Sequence, residues 1–248
     1  MNLSGADVTS SSRSSSSEPI RLSEYPAPLF ARLQEQVVPL SALQKEILRL
    51  TQSSAQSSSQ PSIQPSTGQE WVQHVNRPDY EGEWDVLPLR CARQHVDTHP
   101  ILQAFAIEAD EAWQDLPILA NCPRIREILQ NLDCPLKAVR LMRLRAGAEI
   151  RPHRDHGLSI EHGEARLHLP VFTSDKVSFT VGGCTVPMAA GELWYINADI
   201  EHAVYNDSHE DRIHLVIDCV ANPWLRSVIE QGCRLVNTVT GIVSDADK

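Results

Sequence analysis

Between residues 138 and 220 the chain is written in short apolar or alternating runs: AVRLMRL, ARLHLPVF, VSFTV, CTVPM, ELWYIN, HAVYN and RIHLVIDCV. Gly147, Gly157, Gly182, Gly183 and Gly191 punctuate them. Side chains on an extended backbone alternate between two faces, so runs of this length broken by glycine predict strands joined by tight turns. A helical lead-in precedes them. Asn121 and Pro123 set up a helix start, and Ile125, Ile128, Leu129 and Leu132 give the turns that follow one apolar face. Short, regularly spaced strands after a helix predict a mainly β domain with flanking helices, a sandwich or barrel of the jelly-roll, cupin-like kind.

Nearer the N-terminus the period changes. Leu33, Val37, Leu40, Leu43, Ile47 and Leu50 recur at spacings of three and four, which is the period of an apolar helix stripe. Pro39 interrupts the stripe, and Ser41 with Gln44 reads as a capping box that restarts the helix. A helix over 29–50 fits packing on the outside of the main domain, the simpler reading, or an arm for oligomerisation or partner binding. On either side lie residues 1–20, dominated by serine, and residues 52–68, QSSAQSSSQPSIQPSTG, both of a composition that builds no core. The expected organisation is a disordered tail over 1–20, a short helical segment over 21–51, a linker over 52–68, one domain over 69–235 and a tail over 236–248. A chain starting near residue 68 is expected to fold.

Charge narrows the partners. With 22 Lys and Arg against 32 Asp and Glu, the formal net charge of −10 disfavours phosphate backbones and anionic lipid, so neither nucleic acid nor a membrane surface is expected as a partner. No apolar run approaches the length of a membrane span and the first residues lack the apolar core of a secretory signal, so a cytoplasmic protein is expected. The six cysteines, Cys91, Cys122, Cys134, Cys184, Cys219 and Cys233, are scattered without a C-x-x-C pair and read as reduced thiols.

Candidate chemistry sits on the strands. In RPHRDHG, His153 and Asp155 stand two residues apart, so on an extended backbone an imidazole and a carboxylate can meet one metal ion. His-Arg-Asp also opens a kinase catalytic loop, but that loop needs an Asn five residues after the Asp, where this chain has Ile160, and no glycine-rich phosphate loop exists. His202 begins the HAVYN run. Ten residues on, Arg212 shares one strand face with His214 and Val216, while Ile213, Leu215 and Ile217 occupy the other. Arg166 and His168 repeat that Arg-x-His pattern, with Leu167 and Leu169 opposite. Either strand alone fits a solvated polar face. Two of them beside a candidate metal site favour a cavity, where a guanidinium is costly unless an anion meets it. Farther upstream, Trp71, His74, Asn76, Tyr80 and Trp84 mix aromatic walls with polar tips, which suits a small amphipathic ligand or an ordinary sheet edge.

Taken in order, RLMRLRAGAEIRPHRDHG, ARLHLPVF and GELWYINADIEHAVYNDSHEDRIHLVIDC resemble the aspartyl/asparaginyl β-hydroxylase family, which includes proline cis-4-hydroxylases and bacterial lipid A or sugar hydroxylases. The similarity extends upstream through WVQHVNRPDYEGEWDVLPLR. The resemblance implies a double-stranded β-helix, Fe(II) held by His153, Asp155 and His202, and Arg212 gripping the distal carboxylate of 2-oxoglutarate. It further implies that Arg166 and His168 line the site and contact the cosubstrate or an acidic substrate, and that O₂ is the oxidant. Two imidazoles and one carboxylate with open positions suit non-haem Fe(II) rather than tetrahedral zinc. The animal peptidyl-aspartyl member lacks the carboxylate ligand, so Asp155 places this chain nearer the bacterial enzymes. The expected substrate is a free amino acid or an Asp, Asn or Pro residue of a peptide, hydroxylated with release of succinate and CO₂. Two other readings stay open: a cupin-type metalloenzyme that does not use 2-oxoglutarate, and a non-catalytic metabolite-sensing protein.

Overall fold

The computed structural model describes residues 27–34, 38–56, 71–106 and 112–240. The expected disordered tail over 1–20 lies outside these residues, as does most of the expected linker. In chain order the strands are β1 (Phe30–Gln34), β2 (Val72–Gln73), β3 (Tyr80–Glu81), β4 (Trp84–Ala92), β5 (Trp113–Asp115), β6 (Leu136–Leu144), β7 (Glu149–His153), β8 (Glu164–Phe172), β9 (Val177–Val181), β10 (Cys184–Thr185), β11 (Leu193–Ile196), β12 (His202–Asn206) and β13 (Arg212–Val220). The helices are α1 (Leu40–Gln56), α2 (Pro100–Phe105), α3 (Pro123–Gln130) and α4 (Pro223–Thr240).

The strands form two antiparallel sheets, the layout of a jelly roll. The larger runs β1-β11-β8-β13-β6-β4-β2, with β5 also on β4, and the smaller runs β10-β9-β12-β7-β3. Alternation along the central strands explains how the layers stack. Ile213, Leu215 and Ile217 of β13, Leu167 and Leu169 of β8, and Val139 and Leu141 of β6 share one face, covered by Leu43 and Ile47 of α1, Ile125 and Ile128 of α3, and Leu225 and Ile229 of α4. The intervening residues point the other way. Val216, Met142, Leu144, Val86 and Trp194 meet Phe179, Val181, Ile150 and Val204 of the smaller sheet in a second core. Both faces of the larger sheet are therefore enclosed, and each fully buried Leu or Ile contributes about 1.5–3 kcal/mol.

The N-terminal segment departs from the expectation of a single helix over 29–50. Leu33 lies in β1, which extends the edge of the larger sheet by pairing Phe30 with Ile196 and Ala31 with Tyr195. The helix starts only at Leu40, directly after Pro39, and continues to Gln56, into the segment expected to be linker. Gln44 does not close a capping box, because its side-chain amide donates to the Val171 carbonyl on β8 at 2.9 Å. Glu46 instead reaches across to α3, where its carboxylate accepts the backbone N–H groups of Arg124 and Ile125 at 2.9 and 3.0 Å. Those donors have no partner within their own helix, and an anion at a helix N-terminus is favoured there. Leu43 and Ile47, the centre of the expected stripe, are fully enclosed by the domain.

Strands β4 and β7 carry Pro88 and Pro152, which obscure their pattern in the sequence. Helix α4 runs past the expected domain end at 235 and packs on β1. The approach is close enough that a Cβ at Gly232 would lie 2.2 Å from the Arg32 carbonyl oxygen, so only glycine fits there. Among the described residues, which include all six cysteines, no helix is long and apolar enough to cross a membrane, and no disulfide is formed.

Candidate active site

Pairing of β7 with β12 sets His202 directly opposite His153. Their ring centroids are 4.2 Å apart. Asp155 stands two residues beyond the end of β7, on a loop whose backbone is pinned by the Asp155 N–H to the Ala198 carbonyl at 2.9 Å. One donor atom from each of His153, Asp155 and His202 falls within 4.8 Å of the others, as one metal ion requires. The rings are also oriented for it. The Nδ1–H of His153 donates to the Arg151 carbonyl at 2.8 Å and that of His202 to the Ile200 carbonyl at 3.0 Å, which leaves both Nε2 lone pairs free.

Electrostatics hold His202 and Asp155 in the protonation states that a metal needs. Burial, helped by the neighbouring His153, lowers the His202 pKa to about 4, so its imidazole is neutral at pH 7. Burial acts to raise the Asp155 carboxyl, but the Arg166 guanidinium and the two histidines outweigh it and the group stays ionised. Arg166 is an orienting clamp: its Nη1 donates to Asp155 Oδ2, while Nε and Nη2 donate to the two oxygens of Asp218 at 2.7 and 3.0 Å. Asp218 is itself buried, and Arg166 with Arg140 overrides that burial to hold its pKa at about 2. The expected contact between Arg166 and the cosubstrate is not where its fork is aimed. Each of its three nitrogens donates to a carboxylate of the protein.

Arg212 is the opposite case. It is 2 % exposed, on the face of β13 that points between the sheets. Its Nη2 donates to His214 Nδ1 at 2.7 Å, its guanidinium carbon lies 5.7 Å from the Phe179 ring centre, and its buried Nε has no partner. No carboxylate among the described residues pairs with it, and burial alone lowers its pKa to about 9. His168 and His214 sit beside it, both held neutral by burial and by its charge. The donor set fits an iron ion, and the uncompensated fork fits the carboxylate of a cosubstrate.

A cavity of about 520 Å³ opens onto His153 and Asp155. His74, Asn76 and Trp84 line it as expected, with the His74 ring stacked on Trp84 at 3.5 Å. Trp71 and Tyr80 do not. Trp71 packs under the Arg143 guanidinium, and Tyr80 is buried with its hydroxyl donating to the His74 carbonyl at 2.9 Å, which supports the wall from behind. Phe105, Met142, Arg140 and Asp218 also line the cavity and were not anticipated. A signal for two of them exists: Asp218 continues the Arg212, His214, Val216 face, and Arg140 interrupts a strand between Val139 and Leu141.

A jelly roll in which two imidazoles and a carboxylate converge beside an open cavity defines a double-stranded β-helix protein with a candidate mononuclear metal centre. A model of the Aspartyl/Asparaginyl beta-hydroxylase family matches residues 40–222, and the chain belongs to that family. It is 29 % identical over 152 residues to the L-proline cis-4-hydroxylase of Rhizobium meliloti (strain 1021), covering 60 % of this chain and 51 % of that protein. The chain thus spans about half the length of the curated relative it matches. Solved structures overlap more loosely. The non-heme alpha ketoglutarate dependent epimerase SnoN from nogalamycin biosynthesis superposes with a TM-score of 0.44 at 14 % identity, covering 77 % of each chain. An oxidoreductase of the 2OG-Fe(II) oxygenase family from Burkholderia pseudomallei gives 0.41 at 14 % identity, covering 75 % of this chain and 92 % of that one. Overlaps this loose say nothing about chemistry.

Proposed function

We propose that this chain is an Fe(II)- and 2-oxoglutarate-dependent dioxygenase that hydroxylates a free amino acid or an Asp, Asn or Pro residue of a peptide. The observation that carries the reading is Arg212, a buried fork of donors without an acid, on the face of the larger sheet turned toward the smaller sheet that carries His153 and His202. A permanent cation in that position is costly unless an anionic ligand meets it. Membership of the family and the match to an L-proline cis-4-hydroxylase support the same reading.

His153, Asp155 and His202 would hold the iron, and Arg212, with His168 beside it, would hold the far carboxylate of 2-oxoglutarate. Iron with 2-oxoglutarate and O₂ would supply the oxidation of a substrate C–H, with succinate and CO₂ released. The protein's own part is placement. Arg166 fixes the Asp155 carboxylate, the backbone carbonyls of Arg151 and Ile200 fix the imidazoles, and Trp84, Phe105 and Met142 give the cavity a dry wall against which a substrate can be oriented.

The test is succinate formation by purified protein with Fe(II) and 2-oxoglutarate, with and without a panel of free amino acids and peptides. Turnover is expected to rise with one class of substrate, and His202→Ala is expected to abolish both iron binding and succinate release while circular dichroism stays unchanged. A His202→Ala protein that binds iron and turns over like wild type would overturn the assignment.

A further inference from the structure

We propose that Lys137 and Glu164, beside the ring of Trp113, form a subsite for a secondary amide of the substrate, so that the substrate is an N-acylated or peptide-bound amino acid rather than a free one. The proposal rests on the dioxygenase reading and narrows its substrate class.

Lys137 faces the cavity because β6 carries a bulge. Val139 and Leu141 lie on the face covered by the helices, and Met142 on the face turned to the smaller sheet. Unbroken alternation would put Lys137 with Val139 and Leu141, under the helices. Between the pairs Val139–Ile217 and Leu136–Cys219, however, β6 advances three residues while β13 advances two. The extra residue reverses the alternation, so Leu136 packs on the helix-side core and its neighbour Lys137 lines the cavity, 6 % exposed. A bulge of this kind gives up ladder pairing and re-aims a side chain. The Lys137 ammonium donates to Glu164 Oε1 at 2.5 Å and lies 5.6 Å from the Trp113 ring centre. These contacts fix its place and use one of its three N–H donors. Glu164 and Trp113 line the same cavity, and among the described residues Oε2 of Glu164 has no hydrogen-bond partner.

The chemistry of the pair selects its ligand. An ammonium only donates and a carboxylate only accepts, so a group that meets both must offer one acceptor and one donor. A ligand carboxylate would be drawn to Lys137 and repelled by Glu164, and a ligand ammonium the reverse, which favours a neutral group. A secondary amide carries a carbonyl for Lys137 and an N–H for Glu164 in one plane, a flat shape that packs along an indole. The spacing fits as well. Glu164 precedes Arg166, the clamp on Asp155, by two residues on one face of β8, about 7 Å along an extended strand. An extended chain advances about 3.5 Å per residue. A small amino acid with its C–H at the candidate metal ligands therefore meets the pair through an attached amide, not by its own length.

The experiment compares matched ligands. Asp, Asn and Pro as free amino acids, N-acetylated Asp and Asn, the dipeptides of all three with a following glycine, and the matching esters with oxygen in place of the amide nitrogen are titrated by calorimetry into the anaerobic Fe(II) and 2-oxoglutarate protein. The N-acetyl and dipeptide arms separate the two sources of the amide. At least one amide ligand is expected to bind about tenfold or more tightly than its free amino acid, and its ester, which lacks the donor, is expected to lose most of that gain. Lys137→Met should bring the amide ligand to within about twofold of the free amino acid, and Glu164→Ala should remove the difference between amide and ester, while 2-oxoglutarate, titrated separately, binds both variants within about twofold of wild type. The amide and ester comparison is made in wild-type protein, so a variant that fails to fold does not block the test. The proposal is overturned if the free amino acids bind as tightly as their amides, if no amide ligand binds, if the ester matches the amide, or if Lys137→Met keeps the preference. A Lys137-dependent amide preference in a protein that does not bind 2-oxoglutarate would sustain this proposal and sink the dioxygenase reading alone, and 2-oxoglutarate turnover with free amino acids only would do the reverse.

Discussion

The two ends of one face of β13 treat buried charge in opposite ways. At one end Asp218 is met by the forked donors of Arg166 and by the charge of Arg140, and its carboxyl is held far below neutral pH. At the other end, six residues earlier, Arg212 has an imidazole and an aromatic face for company and no acid. The first end has its counter-charge within the protein and holds Asp155 in place; the second has none until an anion arrives. Which arginine belongs to the protein and which to a ligand is decided by the carboxylates around it, not by its depth.

The largest effect should come from breaking the closed end. Asp218→Asn leaves the Arg166 and Arg140 guanidiniums enclosed without their counter-charge, and urea denaturation is expected to show a loss of about 3–5 kcal/mol. Arg212→Met sharpens the contrast from the other side. It removes a cation that nothing compensates, so the ligand-free protein should be as stable as wild type or more so, while calorimetry should show 2-oxoglutarate binding weakened about ten- to hundredfold, the worth of a charge-assisted pair. A destabilised Arg212→Met protein that keeps its 2-oxoglutarate affinity would make the two ends alike. A smaller effect is expected at the cavity wall. His74 has a folded pKa of about 3 against 6.5 when free, so between those values the unfolded chain binds the extra proton. Its contribution is full above about pH 6.5 and is lost as pH falls toward 3, and His74→Phe, which keeps a ring on Trp84, should flatten the fall in stability measured by denaturation across that window. His202, lowered to about 4, and the buried His168 and His214, both lowered as well, contribute to the slope that remains.

Much of this was legible in the sequence. The seven runs from 138 onward became β6 and β8 to β13, because a period of two survives whatever a strand packs against. His153, Asp155 and His202 converge, and the Arg-x-His faces of β8 and β13 point inward. Other features depend on partners far away in the chain. The Leu33 position reads as helix because its strand identity is conferred by β11, some 160 residues on, and no local pattern encodes an edge pairing. Arg166 reads as a ligand-binding cation until Asp218 and Asp155 are placed around it. Tyr80 shares the even parity of the cavity residues His74, Asn76 and Trp84, but the turn at Arg77–Asp79 breaks the period and sends it elsewhere.

The pairing of β1 with β11, locked by α4 at Gly232, has a consequence for how the molecule is made. The first described strand can find its place only after nearly the whole chain exists, since its partner strand and the helix that clamps it come from the last quarter of the sequence. Closing a loop of that size before any contact rewards it makes the step slow, and until it happens the open margin of β11 and the apolar surface beneath α1 are free to meet other chains. Chains shortened to begin near residue 68 would be held permanently at that stage, with aggregation rather than loss of catalysis as the first symptom.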